Sequence, residues 1–180
     1  MKAVLDACVL YPTILREILI GVADAGLFQP VWSPRILAEW HHAAARLGPD
    51  QAAVAGAEIA LLQLSHPQAS GANDGTVAAG HDWPDPADRH VAEAALAAGA
   101  GVIVTANLRD FPRRVLAELD LTAVHPDAFL LDLYRRDPDA VAGAVHTAHA
   151  RARAMGGELT LSEMLARARL PRLGKALRRS

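Results

Sequence analysis

Apolar runs of three to six residues alternate along the chain with longer segments of helical periodicity. The runs typical of buried strands span 2–5, 27–32, 102–105 and 122–124. The segments in which apolar residues recur every three or four positions span 13–25, 33–47, 52–64, 85–98, 111–119 and 127–135. Strands that alternate with helices at this spacing predict an α/β class with a parallel sheet covered by helices on both faces.

Capping residues mark the expected ends of two helices. Ser33 followed by Pro34 predicts one helix start, because a serine N-cap and a first-turn proline favour that position. Asp85 followed by Pro86 predicts a second start in the same way, and Gly99 is expected to end that helix. In this interpretation Asp85 is the N-cap.

The remaining segments suggest one main domain and an appendage. The stretch 65–86 is rich in Gly, Pro, Asn and Asp and is expected to be mostly loop, with a short strand near Val77. Pro138 marks the expected boundary between a domain at 1–137 and a helical C-terminal extension at 138–180. The extension is expected to contain helices at 139–155 and 161–168, followed by a last basic turn.

The composition narrows the class of protein. With 52% hydrophobic and 21% charged residues, the chain of 180 residues is globular and not disordered. Only 4% of residues are aromatic, which argues against base stacking as the main binding device. The single cysteine, Cys8, excludes a disulfide framework within the chain and a cysteine zinc cluster, and we expect it to be a small buried residue of the first strand. Without a signal peptide or an apolar run of membrane-spanning length, a cytoplasmic protein is expected.

Charge is unevenly distributed along the chain. The net charge is −2, but residues 165–180 contain six basic residues and no acids. The preceding 164 residues therefore hold 12 basic and 20 acidic residues, a net charge of −8. A basic end on an acidic body indicates contact with a polyanion or docking on an acidic partner. An equal alternative is that these basic residues lie on a solvated helix end, where the helix dipole stabilises positive charge.

Two acids occupy positions where a structural role is disfavoured. Asp6 directly follows the first apolar strand, and ligands of open α/β sheets gather at the carboxyl ends of strands. A capping role for Asp6 is disfavoured because no helix is predicted to follow it immediately. Glu39 borders the apolar stripe of its helix, between Ile36 and Ala43, where a carboxylate is costly unless it is paired or bound to metal.

Three further polar residues have plausible structural roles as well. Asp88 in the first turn of its helix would stabilise the helix through the helix dipole. It also lies at the start of the row of small side chains that is expected to face the sheet. Asn107 and Asp110 follow the strand at 102–105, where they suit an Asx turn. Their position at the carboxyl end of a strand gives them added weight as site residues.

These acids come from four separated segments that one parallel sheet could bring to a single cleft. Crowded carboxylates repel each other and favour a divalent cation, and ligand sets made of oxygen suit Mg²⁺ or Mn²⁺. A divalent cation beside carboxylates is the apparatus of phosphodiester hydrolysis. The site residues predicted on this basis are Asp6, Glu39 and Asp88, with either Asn107 or Asp110 from the fourth segment.

At this point the sequence resembles the PIN-domain ribonucleases, and most closely the VapC-like toxins of bacterial toxin–antitoxin pairs. The motifs that carry the resemblance are LDACVLYP, SPRILAEW, DPADRHVAEAALAAGA and VIVTANLRDFP. It continues through VHPDAFLLDLY into LTLSEMLARARLPRLGKALR, which is similar to the C-terminal extension of one subgroup. The resemblance implies a three-layer α/β/α fold with a sheet of four to five strands, and a metal-dependent endoribonuclease that cleaves single-stranded or loop RNA. It also implies a cognate antitoxin and a homodimer.

The resemblance also implies roles for individual residues. The first three acids of the family pattern match Asp6, Glu39 and Asp88. The fourth falls on Asn107, a departure that Asp110 would compensate, with Thr105 and Asn107 as positioning groups. Asp6 and Asp88 would be the main ligands of Mg²⁺ or Mn²⁺, and Glu39 would orient or deprotonate the attacking water. Three arginines near these motifs could hold RNA phosphates or be solvated helix residues: Arg89, Arg109 and Arg113.

Two other readings of the acids remain. Because Asn107 lacks a charge, the chain could be a catalytically weak PIN module that binds RNA or protein without cleaving it. A receiver-like phosphorylation switch would also place acids at strand ends and would use Thr105 as its switch hydroxyl. That class needs a lysine after a later strand, and Lys2 and Lys175 are not placed for it.

Overall fold

The computed structural model describes residues 1–71, 76–156 and 158–179. The strands are β1 (Lys2–Leu5), β2 (Gln29–Val31), β3 (Val102–Val104) and β4 (Thr122–Val124). The first five helices are α1 (Ala7–Leu10), α2 (Thr13–Asp24), α3 (Pro34–Ala45), α4 (Pro49–Ser65) and α5 (Arg89–Ala98). The remaining helices are α6 (Arg113–Glu118), α7 (Pro126–Arg136), α8 (Pro138–Ala154), α9 (Leu161–Arg167) and α10 (Pro171–Leu177). Short 3₁₀ helices lie at Val77–Gly80 and Leu108–Asp110.

The chain divides into two units, each discontinuous in sequence. The first unit contains Met1–Tyr11 and Gln29–Val124, and the second contains Pro12–Phe28 and His125–Ser180. The boundary expected near Pro138 lies inside the second unit and stays a prediction. Within the described part of the chain, no helix is both long and apolar enough to span a membrane.

A four-stranded parallel sheet forms the centre of the first unit. The strand order is β2-β1-β3-β4, and β1 pairs with both β2 and β3. Val4 lies in register with Val31 on one side and Ile103 on the other, and it is fully buried. A strand buried on both faces has no polar alternation, which explains the continuous apolar run at the N-terminus. The predicted α/β class with its parallel sheet flanked by helices is confirmed.

Helix α5 packs on the sheet through small side chains. It contacts β1, β2 and β3, and Ala92, Ala94 and Ala95 on it are fully buried. Alanines allow a helix to approach a sheet closely. Asp88, which directly precedes α5, is thereby brought to the strand ends. Gly99 ends the helix with φ +64, a left-handed conformation that favours glycine.

Helix starts agree with the sequence in one case and differ in another. Ser33 is the N-cap of α3 as predicted, and its hydroxyl accepts a hydrogen bond from the Ile36 amide. The start predicted at Asp85 is wrong, because α5 begins at Arg89 and residues 86–88 form a turn. The Asp85 carboxylate closes that turn by accepting from the Ala87 amide at 2.8 Å.

The segment before α5 also differs from its prediction. The strand expected near Val77 is wrong, and a 3₁₀ helix stands there instead. Long-range contacts hold it: the Ala78 amide donates to buried Glu93 at 2.6 Å, and the Ala78 carbonyl accepts from Trp83 Nε1 at 2.9 Å. The part of the predicted loop at 72–75 lies outside the described residues.

The regular elements of the second unit, among its described residues, are all helices. Helix α2 packs against α8, and α7 packs against α8 and α10. The expected last basic turn is instead a helix, α10, held at its start by a buried carboxylate. Asp127 of α7 accepts from the amides of Arg172 and Leu173 at 3.1 and 3.0 Å. These bonds satisfy donors that the first turn of a helix leaves unpaired.

Candidate active site

Asp6 stands at the carboxyl end of β1 and is buried there. Its amide donates to the Val104 carbonyl at 3.1 Å, which extends the pairing of β1 with β3. Helix α1 follows directly, so the expectation that no helix begins after Asp6 is wrong. The Asp6 side chain nevertheless makes no capping hydrogen bond. Its Oδ2 atom accepts from the Thr105 hydroxyl at 2.7 Å instead.

Thr105 organises the turn after β3. Its side chain is fully buried, and its hydroxyl oxygen accepts from the Asn107 amide at 3.0 Å while donating to Asp6. The hydroxyl therefore fixes the carboxylate of β1 and the backbone after β3 with respect to each other. These contacts are compatible with the positioning role that the family resemblance implies for Thr105, and that role stays a prediction.

Cys8 belongs to this cluster, which the sequence did not indicate. It lies in α1 and not in a strand, and its thiol donates to Asp6 Oδ2 at 3.1 Å. The sulfur also accepts from the Ala106 amide at 3.3 Å. Burial, followed by the negative charge of Asp6, raises the pKa of the Cys8 thiol to about 12. Cys8 therefore stays protonated at neutral pH and serves as a further donor to Asp6.

Asp88 is the carboxylate whose environment shows that the acids converge. It is half-buried immediately before α5 and makes no capping hydrogen bond. Its pKa is raised from 3.8 to about 6, first by burial and then by the negative charges of Asp110, Asp6, Asp85 and Glu39. The fold therefore brings Asp88 close enough to the other predicted acids for their charges to repel it.

Asn107 and Asp110 form a pair at the edge of this acidic group. The Asn107 side-chain amide donates to Asp110 Oδ2, and Asp110 is half-buried in the 3₁₀ helix after β3. Asp110 is the neighbouring charge with the largest effect on the pKa of Asp88. Asn107 thus contacts the carboxylate that stands near Asp88, and whether Asp110 replaces the fourth family acid stays a prediction.

The carboxylate of Glu39 is contacted by two side chains, an imidazole and a guanidinium group. Its Oε1 atom lies 2.8 Å from His90 Nε2 and 3.6 Å from Arg35 Nε. His90 is 5% exposed. The distance from His90 to Glu39 is short, but the angles are not those of a hydrogen bond. Arg35 also donates to the Ala87 carbonyl at 3.0 Å, next to Asp88. These contacts tie the exposed face of α3 to the start of α5.

The three arginines expected near RNA all lie in segments that carry the acids. Arg89 is half-buried at the first position of α5, while Arg109 and Arg113 are exposed. Arg109 belongs to the 3₁₀ helix that contains Asp110, and Arg113 begins α6. None of these three forms a salt bridge within the described residues. Their guanidinium groups are therefore available to an anion.

The donor chemistry of the site suits Mg²⁺ or Mn²⁺. Every predicted ligand offers carboxylate oxygen, and the raised pKa of Asp88 shows an excess of negative charge that a cation would relieve. Within the described residues, no three His, Cys, Asp or Glu side chains stand close enough to hold one ion directly. Mg²⁺ keeps several of its waters and needs one or two direct carboxylates, so an open arrangement of this kind fits it.

Comparison with known proteins points to one family. A family model described as PIN domain matches residues 2–109, which include every predicted site residue except Asp110 and Arg113. The protein named "Putative ribonuclease VapC50" from Mycobacterium tuberculosis is 49% identical over 57 residues, 30% of this chain and 34% of that protein. The match thus spans about a third of the relative's length. No solved structure matches the chain.

Proposed function

Because this chain belongs to the PIN domain family, we propose that it is a divalent-metal-dependent endoribonuclease that cleaves single-stranded or loop RNA. The observation that carries the proposal is the proximity of acids from separate segments: Asp6, Glu39 and Asp110 lie close enough to half-buried Asp88 for their charges to act on it. Such a concentration of carboxylates is costly for the fold and is typical of a site that binds a cation. The name of the partial relative supports the nuclease class.

The proposed chemistry divides the side chains by role. Asp6 and Asp88 would be the main ligands of Mg²⁺ or Mn²⁺, with Asp110 completing the acidic pocket. When bound, the ion would lower the pKa of a water and offset the charge that develops on the phosphate. Glu39 would orient or deprotonate the attacking water, and its contact with His90 would hold its carboxylate in place. Arg89, Arg109 and Arg113 would bind RNA phosphates.

We further propose the cellular setting of this activity. The chain would be the toxin of a toxin–antitoxin pair, act in the cytoplasm as a homodimer and be held inactive by a cognate antitoxin. The partial relative, named a VapC protein, supports this part of the proposal. Co-purification of the chain with the product of a neighbouring gene, and loss of cleavage in that complex, would be expected.

The direct test is cleavage of labelled RNA by the purified protein in Mg²⁺, Mn²⁺ or chelator. Substrates with and without a single-stranded loop would be compared, because cleavage is expected only where bases are unpaired. Asp88→Asn should abolish cleavage without unfolding the protein. Asp85→Asn is the matched control, since Asp85 precedes the same helix but serves a turn, and this variant should stay active.

A binding module without cleavage is the second candidate function. The observation that favours it is Asn107 at the position of the fourth family acid, since Asn107 contributes no charge and is engaged with Asp110. In that case the protein would bind RNA with equal affinity in chelator and Mn²⁺ and leave it intact. Cleavage that depends on both Mn²⁺ and Asp110 would exclude this alternative.

A further inference from the structure

The C-terminal segment carries a concentrated basic surface. We define the basic hairpin as α9, α10 and the turn between them, with the two residues that follow α10 (161–179). Six basic side chains project from it, and all are exposed: Arg167, Arg169, Arg172, Lys175, Arg178 and Arg179. None of the six forms a salt bridge within the described residues. The one acid in the hairpin sequence, Glu163, is near enough to Arg167 for their charges to attract, which leaves the surface with a large excess of positive charge.

The basic hairpin is a packed element and not a loose tail. Met164, Leu170 and Leu173 are fully buried on its inner side. Asp127 of α7, itself 4% exposed, accepts from the first amides of α10 through both carboxylate oxygens. The backbone that carries the cations is therefore held in place. Cations on an ordered backbone lose less conformational entropy when they bind a ligand than cations on a flexible tail.

The turn of the hairpin retains an arginine at a conformational cost. Arg169 has φ +56, and the Leu170 amide donates to the Leu165 carbonyl at 2.9 Å, which is a helix ending that favours glycine at this position. A side chain other than glycine is strained in this left-handed conformation. Asp120, after α6, has the same conformation with φ +54, so what distinguishes Arg169 is the exposed positive charge that it adds to this surface.

Positive charge is concentrated in the second unit, while the first unit is acidic. The first unit holds 7 basic and 12 acidic residues, a net charge of −5, and the candidate active site is its acidic centre. The second unit holds 11 basic and 8 acidic residues, a net charge of +3. A polyanionic substrate gains no general attraction from a chain of net charge −2, so localised cations must supply it.

We propose that the basic hairpin binds the phosphate backbone of single-stranded RNA, as a docking surface made of residues other than those of the acidic site. The proposal rests on the proposed ribonuclease function, and it identifies the residues that retain the substrate. Arg172, Lys175 and Arg178 are spaced three residues apart, so they follow one side of α10 over about 9 Å. Contact is with phosphate and is independent of base sequence, which agrees with the low aromatic content.

The first test measures the salt dependence of binding. Fluorescence anisotropy with a labelled single-stranded RNA is recorded in chelator, so that cleavage does not interfere. In a triple variant, Arg172→Gln, Lys175→Gln and Arg178→Gln, the slope of log affinity against log salt should fall by about 2, at roughly 0.7 per lost phosphate contact. At about 0.1 M salt this corresponds to an affinity loss on the order of 100-fold. A control with the same charge change at exposed arginines elsewhere (Arg46→Gln, Arg151→Gln and Arg153→Gln) should lose less than half of that slope.

The second test uses Arg169, where stability and binding should change in opposite directions. Arg169→Gly should raise the melting temperature, because it relieves the left-handed conformation, and lower RNA affinity several-fold. Arg169→Lys keeps the charge and the conformational cost, so both quantities should stay near those of the parent. A structural role at the end of α9 would instead give Arg169→Gly unchanged RNA affinity.

The outcomes separate this proposal from the proposed function. If the triple variant binds RNA with the parent affinity and salt slope, the docking surface is refuted, even if the same face captures a protein. If binding falls as expected but the parent never cleaves RNA in Mn²⁺, the docking surface stands and the nuclease proposal fails. Full binding loss in the control triple variant would refute a localised surface.

Discussion

Replacing Asp88 by asparagine should stabilise the protein when no metal is present. The pKa of Asp88 is raised from 3.8 to about 6 by burial and by the surrounding acids, so the ionised form is disfavoured in the folded state. At about 1.4 kcal/mol per pKa unit, the full shift corresponds to about 3 kcal/mol. Asp88 is only half-buried, and solvent screening reduces this to about 1–1.5 kcal/mol.

The pH dependence of this effect has a defined sign. Between about pH 4 and pH 6 the folded protein keeps a proton on Asp88 that the unfolded chain has lost. The contribution of Asp88 to the free energy of unfolding is therefore fully present below the unfolded pKa and is lost as pH rises through 6. Asp88→Asn removes this step, so the two proteins should diverge across that window and differ most at neutral pH.

Urea unfolding of both proteins in chelator, from about pH 4 to about pH 8, checks the reasoning. Mn²⁺ should then stabilise the parent more than Asp88→Asn, because a cation that binds the folded site adds to stability by mass action. The interpretation of Asp88 as a strained site acid would be refuted if the variant were no more stable than the parent at neutral pH. Parallel pH profiles would refute it equally.

Three further predictions concern the hydroxyl of Thr105, the carboxylate of Asp127 that caps α10, and the thiol of Cys8. Thr105→Val should lower the free energy of unfolding by about 1–2 kcal/mol and the cleavage rate at least tenfold, because Asp6 loses its hydroxyl donor and keeps only the weaker thiol of Cys8. Thr105→Ser should recover both quantities, and equal loss in the serine variant would contradict the role of the hydroxyl. Asp127→Ala should lower the free energy of unfolding by about 2–4 kcal/mol and remove the hydrogen-exchange protection of α10. Retained protection in α10 would show that the Asp127 carboxylate does not hold this helix in place. Since the Cys8 pKa is raised to about 12, alkylation of the folded protein at neutral pH should be slow, and a rate equal to that in urea would contradict that shift. The expected slowing is on the order of 100-fold.

Some features of the site were predictable because they follow from local patterns. The burial of β1 produces its apolar run, and the polar residue that ends it, Asp6, falls at the carboxyl edge of the sheet. Ser33 was predicted as a cap because its hydroxyl bonds an amide only three residues away. The start of α5 was misplaced because Asp85 uses the same short-range chemistry to close a turn. Local signals specify a hydrogen bond more reliably than they specify the element it belongs to.

The sequence by itself determined the α/β class, the parallel strands and the acids at their ends, since hydrophobic periodicity and capping act over a few residues. Only the tertiary structure decided which partners those acids have. The hydroxyl that binds Asp6 lies 99 residues away in the chain, and the amides that bind Asp127 lie 45 and 46 residues away. The raised pKa of Asp88 likewise depends on charges from separate segments. Electrostatic repulsion and burial depend on distance in space, which no local pattern encodes.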